Sequence, residues 1–462
     1  MTIPDQLEIH PIALPEVDRW AAGIRLGEAV VAAGRYVRPG EEWPQGLRRT
    51  FDKLGATFLK FGQLLGSSPG LFGDAVAAEF RGTLDSGPAV PFPGVRRVVE
   101  KEFGRPLDRL FADFEEQPLA AASLAVVHRA TLHDGQPVAV KVLRPAVERR
   151  VATDLAVMRP LIGFLGRQVP VGLLEVLPGA VDGLAEQVAE ELDLRNEARS
   201  MAWFAARLVP LGLDALKIPD VVPELSGRRV LTMELLDGVP VDDLGGIERL
   251  GADARHLLQQ LVLGWFATAL CTGAFHGDCH AGNLLILRDG RIGLLDWGIV
   301  GRVDPDTHRF LRRSIEGALG DESAWADVHG YFKATYGEAV TEALGMTDER
   351  GAEVARTMIE TFYNQPFGTV DLSLLMGPMP DSPAAGQPLW RQLRRQRRLK
   401  RELDASGGLG TPFDRATILM GKQLVYFERY GKMFLPDVPL LWDRQAFAAL
   451  LADAPAEAAS VA

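Results

Sequence analysis

The sequence predicts a two-lobed α+β fold on three observations. Two alternating segments, 126–132 (VVHRATL) and 137–143 (PVAVKVL), flank the turn His133-Asp134-Gly135-Gln136, the signature of an antiparallel hairpin. A third β-rich segment, 229–236 (RVLTMELL), runs into the acidic linker Asp237-Gly238-Val239-Pro240, where a hinge between two lobes would lie. Around these strands the periodicity is helical, with an acidic stretch at 183–208 and an apolar one at 261–275.

The remaining elements follow from local chemistry. Residues 118–124 (PLAAASL) read as the turn before the first hairpin strand. The acidic stretch carries Glu186, Glu190, Glu191, Asp193 and Glu197; most belong on a solvated face, but Glu197, at helical spacing from Met201, Phe204 and Leu208, points inward. Residues 261–275 fall short of the roughly 20 that span a membrane and read as a buried helix. The apolar stretch 155–181 is interrupted by Arg159, Arg167, Gln168 and the prolines at 160, 170 and 178, so no transmembrane segment is expected. A short strand at 291–295 (RIGLL) and a helix at 307–319 complete the pattern.

Composition sets broad bounds. A chain of 462 residues, 47% hydrophobic and 24% charged, has the length for two or three packed units of a soluble enzyme. A net charge of -11 supplies no basic face for nucleic acid. Cys271 and Cys279 stand eight apart without a CxxC, which excludes a disulfide framework and a zinc knuckle; Cys279 reads as a small buried spacer. The N-terminus (MTIPDQLEIHPIALPEVDRW) has acids and prolines where a signal peptide needs a basic and then an apolar run, so the expected location is cytoplasmic.

Two short segments carry the chemistry. In 276–283 (HGDCHAGN) Asp278 and Asn283 stand five apart, the spacing at which one residue handles an acceptor hydroxyl and the other holds a metal in kinase-type phosphoryl transfer. In 294–298 (LLDWG) Asp296 opens a DxG triplet at a strand end, placed to bind Mg²⁺ bridging the phosphates of ATP. The lysine such a site needs is Lys141, inside a VAVKV strand, and a buried ammonium needs an anionic partner, for which Glu197 is the candidate. Backbone groups from Glu234 to Leu236 are candidates for the adenine edge. Over the phosphates, where a glycine-rich loop is usual, stand Ala120, Ala121, Ala122 and Ser123.

With these residues in place, the chain resembles the ABC1/UbiB/ADCK (AarF-type) family of atypical protein-kinase-like proteins from about Phe51 to about Arg302. Lys60-Phe61-Gly62-Gln63 matches the family's KxGQ motif, 120–123 its alanine-rich loop, and Glu191-Leu192-Asp193 its ExD motif. Glu197 matches its helix glutamate, and Lys141, Asp278, Asn283 and Asp296 its nucleotide-site residues. The resemblance implies a bilobal protein-kinase-like fold with an N-terminal helical extension: 1–117 the extension bearing KxGQ, 118–236 the strand-rich lobe, and 237–462 a helical lobe. It implies ATP and Mg²⁺ as cofactors. It also implies that Lys60 and Gln63 reach into the site, with Lys60 facing Glu191 and Asp193 and acting with Lys141 and Asp278 in the chemistry.

Gly277 occupies the place of the arginine in HRD, and no Ala-Pro-Glu follows Asp296 in reach, so phosphorylation of proteins in trans is not expected. The reading is an ATPase or atypical kinase supporting isoprenoid-lipid or quinone metabolism, with an isoprenoid or quinone-like lipid and an anionic membrane surface as partners. A small-molecule phosphotransferase of the aminoglycoside- or choline-kinase type is the first alternative, because HGDCHAGN also suits that class. A nucleotide-binding pseudokinase scaffold is the second, because Leu124 to His128 (LAVVH) departs from the family's usual sequence. The basic run at 390–401 (WRQLRRQRRLKR) reads as a solvated helix face or loop, with peripheral contact to anionic headgroups as the alternative.

Overall fold

In the computed structural model, which describes residues 6–37, 43–66, 74–80, 90–165, 171–336, 347–370 and 415–454, the hairpin expected from 126–143 forms. The run at 390–401 lies outside the described residues. The chain divides into two units, one of Met1–Arg207, Lys217–Gly238 and Gly293–Ile299, the other of Leu208–Leu216, Val239–Ile292 and Val300–Ala462.

The first unit is built on a four-stranded antiparallel sheet. Strand β1 (Asp113–Ala121) pairs with β2 (Ala125–Thr131), β2 with β3 (Pro137–Leu143), and β3 with the strand Val230–Glu234. Because side chains alternate along a strand, Val138, Val140 and Val142 of β3 enter one apolar cluster with Val95, Val98 and Val99 of the helix Phe92–Phe103, and Lys141 lies on the opposite face.

The expected turn at 118–124 is largely strand instead: Ala120 and Ala121 belong to β1, and only 122–124 turn the chain, closed by the Ala122 N–H donating to Ala125 O (2.9 Å). Pro118 is tolerated because β1 is an edge strand whose register shifts on either side of it, so no ladder bond needs the missing N–H.

Helices α1 (Arg19–Tyr36), α2 (Trp43–Leu54) and α3 (Ala56–Gly66) precede the sheet. Phe51 packs its ring against Phe58, Phe61 and Phe80. Gly62 in the Lys60–Gln63 motif has a steric reason: a Cβ there would stand 2.5 Å from the Phe80 ring, too close for any side chain.

The acidic stretch 183–208 is two helices, Val171–Glu191 and Leu194–Leu208, not one. The break falls where Asp193 turns its carboxylate onto the N–H of Arg195 (3.1 Å), an alternative to continuing the helix that aspartate commonly takes. Glu190 and Asp193 are both buried, so fewer of the five acids lie on a solvated face than the helical spacing indicates. The Asn196 side chain donates to Glu190 O (2.8 Å), which fastens the junction across the break.

In the second unit the apolar helix runs Ala254–Thr272 and ends at Gly273, whose φ of 69° is open to glycine without strain. Ala274 and Phe275, expected in that helix, lie instead in the strand Ala274–His276, paired antiparallel with Val300–Arg302. The helix Pro305–Ala318 starts at Asp304, which accepts from the N–H groups of Asp306 and Thr307. Among the described residues no helix is long and apolar enough to cross a membrane.

Candidate active site

Five charged groups meet in the first unit. Strand β3 presents the Lys141 ammonium to both oxygens of Glu197, at 2.9 and 2.8 Å, and to Asp296 Oδ1 at 2.9 Å. Glu197 lies in the first turn of the helix Leu194–Leu208, where the helix dipole also favours a carboxylate. From α3, Lys60 donates to Glu191 Oε2 (2.7 Å), whose other oxygen accepts from Gln187 (2.8 Å).

Gly298 links the two pairs. A Cβ on it would stand 3.2 Å from Asp296 Oδ1, 3.7 Å from Glu191 and 3.8 Å from Glu197, so the small residue after the Asp-Trp dipeptide lets the acids draw together. Asp296 itself takes φ 49°, a left-handed conformation that aspartate tolerates better than most residues. The adjoining Trp297 is anchored, donating to Leu294 O (3.0 Å) and packing its ring at a tilt against Phe204 with centroids 4.5 Å apart.

The electrostatics follow from this crowding. Burial alone would drive the proton off Lys141, but the charges of Asp296 and Glu197 outweigh it and its pKa is raised. Burial opposes the charge on Asp296 as well, yet Lys141, with help from Lys60 and the Gly298 N–H, holds that carboxyl well below the usual range. Glu197 is pushed up to about 7 by burial, against the pull of Lys141, with Asp296 and Glu191 adding to the rise.

A carboxyl whose folded pKa exceeds its unfolded value stabilises the fold fully below the unfolded value, 4.5, and loses that contribution as pH climbs through about 7. Glu197→Gln is neutral throughout. Its melting temperature relative to the parent is therefore expected to rise steadily from about pH 5 to about pH 8. A pH-independent difference in thermal unfolding would show that Glu197 stays ionised.

The other first-unit candidates divide. Asp193 is gripped by Arg195 (2.6 Å to Oδ2), while Glu191 takes Lys60. Gln63 is half-buried on α3, three residues beyond Lys60. Glu234 accepts from Lys217 (2.7 Å), and its own N–H donates to Asp220 O (2.8 Å), so that N–H is already engaged and not open to an adenine edge. The Ala122 carbonyl accepts from Arg144 Nε (2.9 Å) and Nη2 (2.7 Å), and Ser123 is buried beside it.

The second unit shapes the loop 276–283. The Asp278 N–H donates to His276 Nδ1 (3.0 Å), and Asn283 Nδ2 donates to the Asp278 carbonyl (3.0 Å), which leaves the Asn283 amide presenting its oxygen. Three residues that the sequence reading missed come from the helix Arg415–Phe434. Lys422 donates to Asp278 Oδ1 at 2.6 Å. Gln423 donates to Gly277 O (2.6 Å) and accepts from the Cys279 N–H (2.7 Å), and the Tyr430 hydroxyl donates to Cys279 O (2.9 Å). One signal was available: Gln423 interrupts an apolar stripe of Leu419, Phe427 and Tyr430, and a polar group inside such a stripe needs partners. Burial, with Asp278 adding, raises the pKa of the Cys279 thiol, consistent with the spacer expected there.

A strand lysine bound by a helix glutamate and a DxG aspartate, with a separate Asp…Asn loop, defines a kinase-like α+β protein. The model of the ABC1 atypical kinase-like domain matches residues 83–327, and the chain belongs to that family. An uncharacterized protein of Mycobacterium tuberculosis is 35% identical over 428 residues, covering 90% of this chain and 80% of its own. An uncharacterized aarF domain-containing protein kinase, chloroplastic, of Arabidopsis thaliana is 33% identical, covering 87% and 74%. A probable protein kinase UbiB of Marinobacter nauticus is 33% identical, covering 58% and 50%.

Proposed function

We propose that this chain binds Mg-ATP and transfers or hydrolyses its terminal phosphoryl group in support of isoprenoid-lipid or quinone metabolism at a membrane surface, rather than phosphorylating proteins. The observation that carries the reading is the Lys141 ammonium held jointly by Glu197 and Asp296, in a member of a kinase-like family. The lipid or quinone-like acceptor rests on the family resemblance of the motifs.

In this reading Lys141, aimed by Glu197, holds the nucleotide phosphates. By their motifs Asp296 and Asn283 are each assigned to Mg²⁺, and each has a side-chain oxygen, the donor that ion prefers. The ion, when bound, offsets negative charge on the phosphates. Asp278 accepts the proton of the acceptor hydroxyl as the new O–P bond forms; the bond from the terminal phosphorus to the bridging oxygen breaks, and its electron pair leaves on ADP. Lys60, paired with Glu191 beside Asp296, fills space that a polypeptide acceptor would need.

The test is Mg-dependent ATP hydrolysis by the whole chain, alone and with anionic liposomes plus a phenolic quinone-precursor mimic. Activity stimulated by the liposomes and lowered about 100-fold or more in Asp296→Asn is expected, since the variant neutralises a carboxylate that would hold Mg²⁺. ATP binding with no turnover under any of these conditions would overturn the reading in favour of a scaffold.

A further inference from the structure

We propose that Lys422 is a positioning residue for the acceptor chemistry of Asp278, and that the helix Arg415–Phe434 is thereby part of the active machinery rather than outer support. The inference rests on the functional reading above and deepens it.

A carboxylate that must take a proton from an acceptor has to be aimed. Gly277 has no side chain, the Cys279 thiol is buried, and the nearest His280 nitrogen stands 4.0 Å from Oδ2. Among the described residues a donor comes from 144 residues along the chain, as the Lys422 ammonium at 2.6 Å from Oδ1. Only 16% of the Lys422 side chain and 18% of the Asp278 side chain are exposed, so solvent screens this pair less than a surface ion pair.

Neighbouring residues on that helix divide the work. Gln423 binds the backbone on both sides of Asp278, at Gly277 O and Cys279 N, and so fixes where the loop lies. Lys422 touches the side chain and so fixes where the carboxylate points. The ring of Tyr426, one helical turn on, has its centroid 5.8 Å from the ammonium. A cation here has a second effect. The terminal phosphoryl group is polyanionic and is repelled by a bare carboxylate; an ammonium on that carboxylate reduces the repulsion, and the benefit is largest as charge shifts in the transition state. Lys422 is thus expected to act on turnover more than on nucleotide binding.

The experiment compares the full chain with Lys422→Met and Lys422→Arg in the Mg-dependent ATPase assay, with Asp296→Asn as blank and melting temperatures recorded for each. Lys422→Met is expected to lower kcat about 10- to 100-fold with the KM for ATP within about twofold, and Lys422→Arg to restore part of kcat. An active parent whose kcat survives Lys422→Met overturns the inference alone. So does a fall in kcat that tracks the melting temperature and that Arg does not relieve, since that marks a structural role. A parent without Asp296-dependent turnover sinks the functional reading, and this inference with it.

Discussion

Lys141→Met is expected to destabilise the first unit by about 3–5 kcal/mol at alkaline pH, because it leaves Glu197 buried and ionised with no cation beside it. Asp296 keeps part of its carboxylate in water, so the larger share of the loss falls on Glu197. The penalty is also expected to shrink below pH 7. There Glu197, already pushed up to about 7, takes a proton more readily still once Lys141 no longer opposes it. Denaturant unfolding at about pH 6 and about pH 8.5 checks this. An equal loss at both values would mean that the carboxyl never protonates. The same variant should lose ATP binding under the proposed function, and the stability measurement separates that loss from simple unfolding.

Gln423→Leu is the second large effect. The substitution keeps the side chain's bulk and apolar surroundings but strands two buried backbone groups, the Gly277 carbonyl and the Cys279 N–H. Each such group costs about 1–3 kcal/mol when left unpaired. The expected result is a clear drop in unfolding free energy together with faster hydrogen exchange at the Cys279 amide. A loss under about 0.5 kcal/mol, the usual range for a surface change, would show that the loop holds its shape without the helix. The contrast with Lys422 is informative: the glutamine holds backbone and should govern stability, the lysine holds a carboxylate and should govern turnover.

The sequence was informative where a pattern is local. The two-residue alternation around Lys141, the five-residue spacing of Asp278 and Asn283, and the Asp296-Trp297-Gly298 triplet depend on neighbours along the chain, and the hairpin and the acid-loop segments formed at those positions. It was misleading where a local tendency met a competing bond. The acidic stretch has helical periodicity throughout, yet Asp193 breaks it by accepting the Arg195 N–H, and Pro118-Leu-Ala-Ala, which looks like a turn, is carried into β1 by pairing with β2. Burial of Glu190 was likewise invisible, because helical spacing identifies a face but not what packs on it.

By itself, then, the sequence determined the α+β class, the family and the residue types available for phosphoryl chemistry, since these reside in short motifs whose spacing is covalently fixed. Only the tertiary structure decided how the candidate charges are shared out: Lys60 takes Glu191 while Arg195 takes Asp193, Lys141 adds Asp296 to the expected Glu197, and Lys422 reaches Asp278 across 144 residues. The physical reason is that an ion pair depends on distance and burial, and neither scales with separation along the chain.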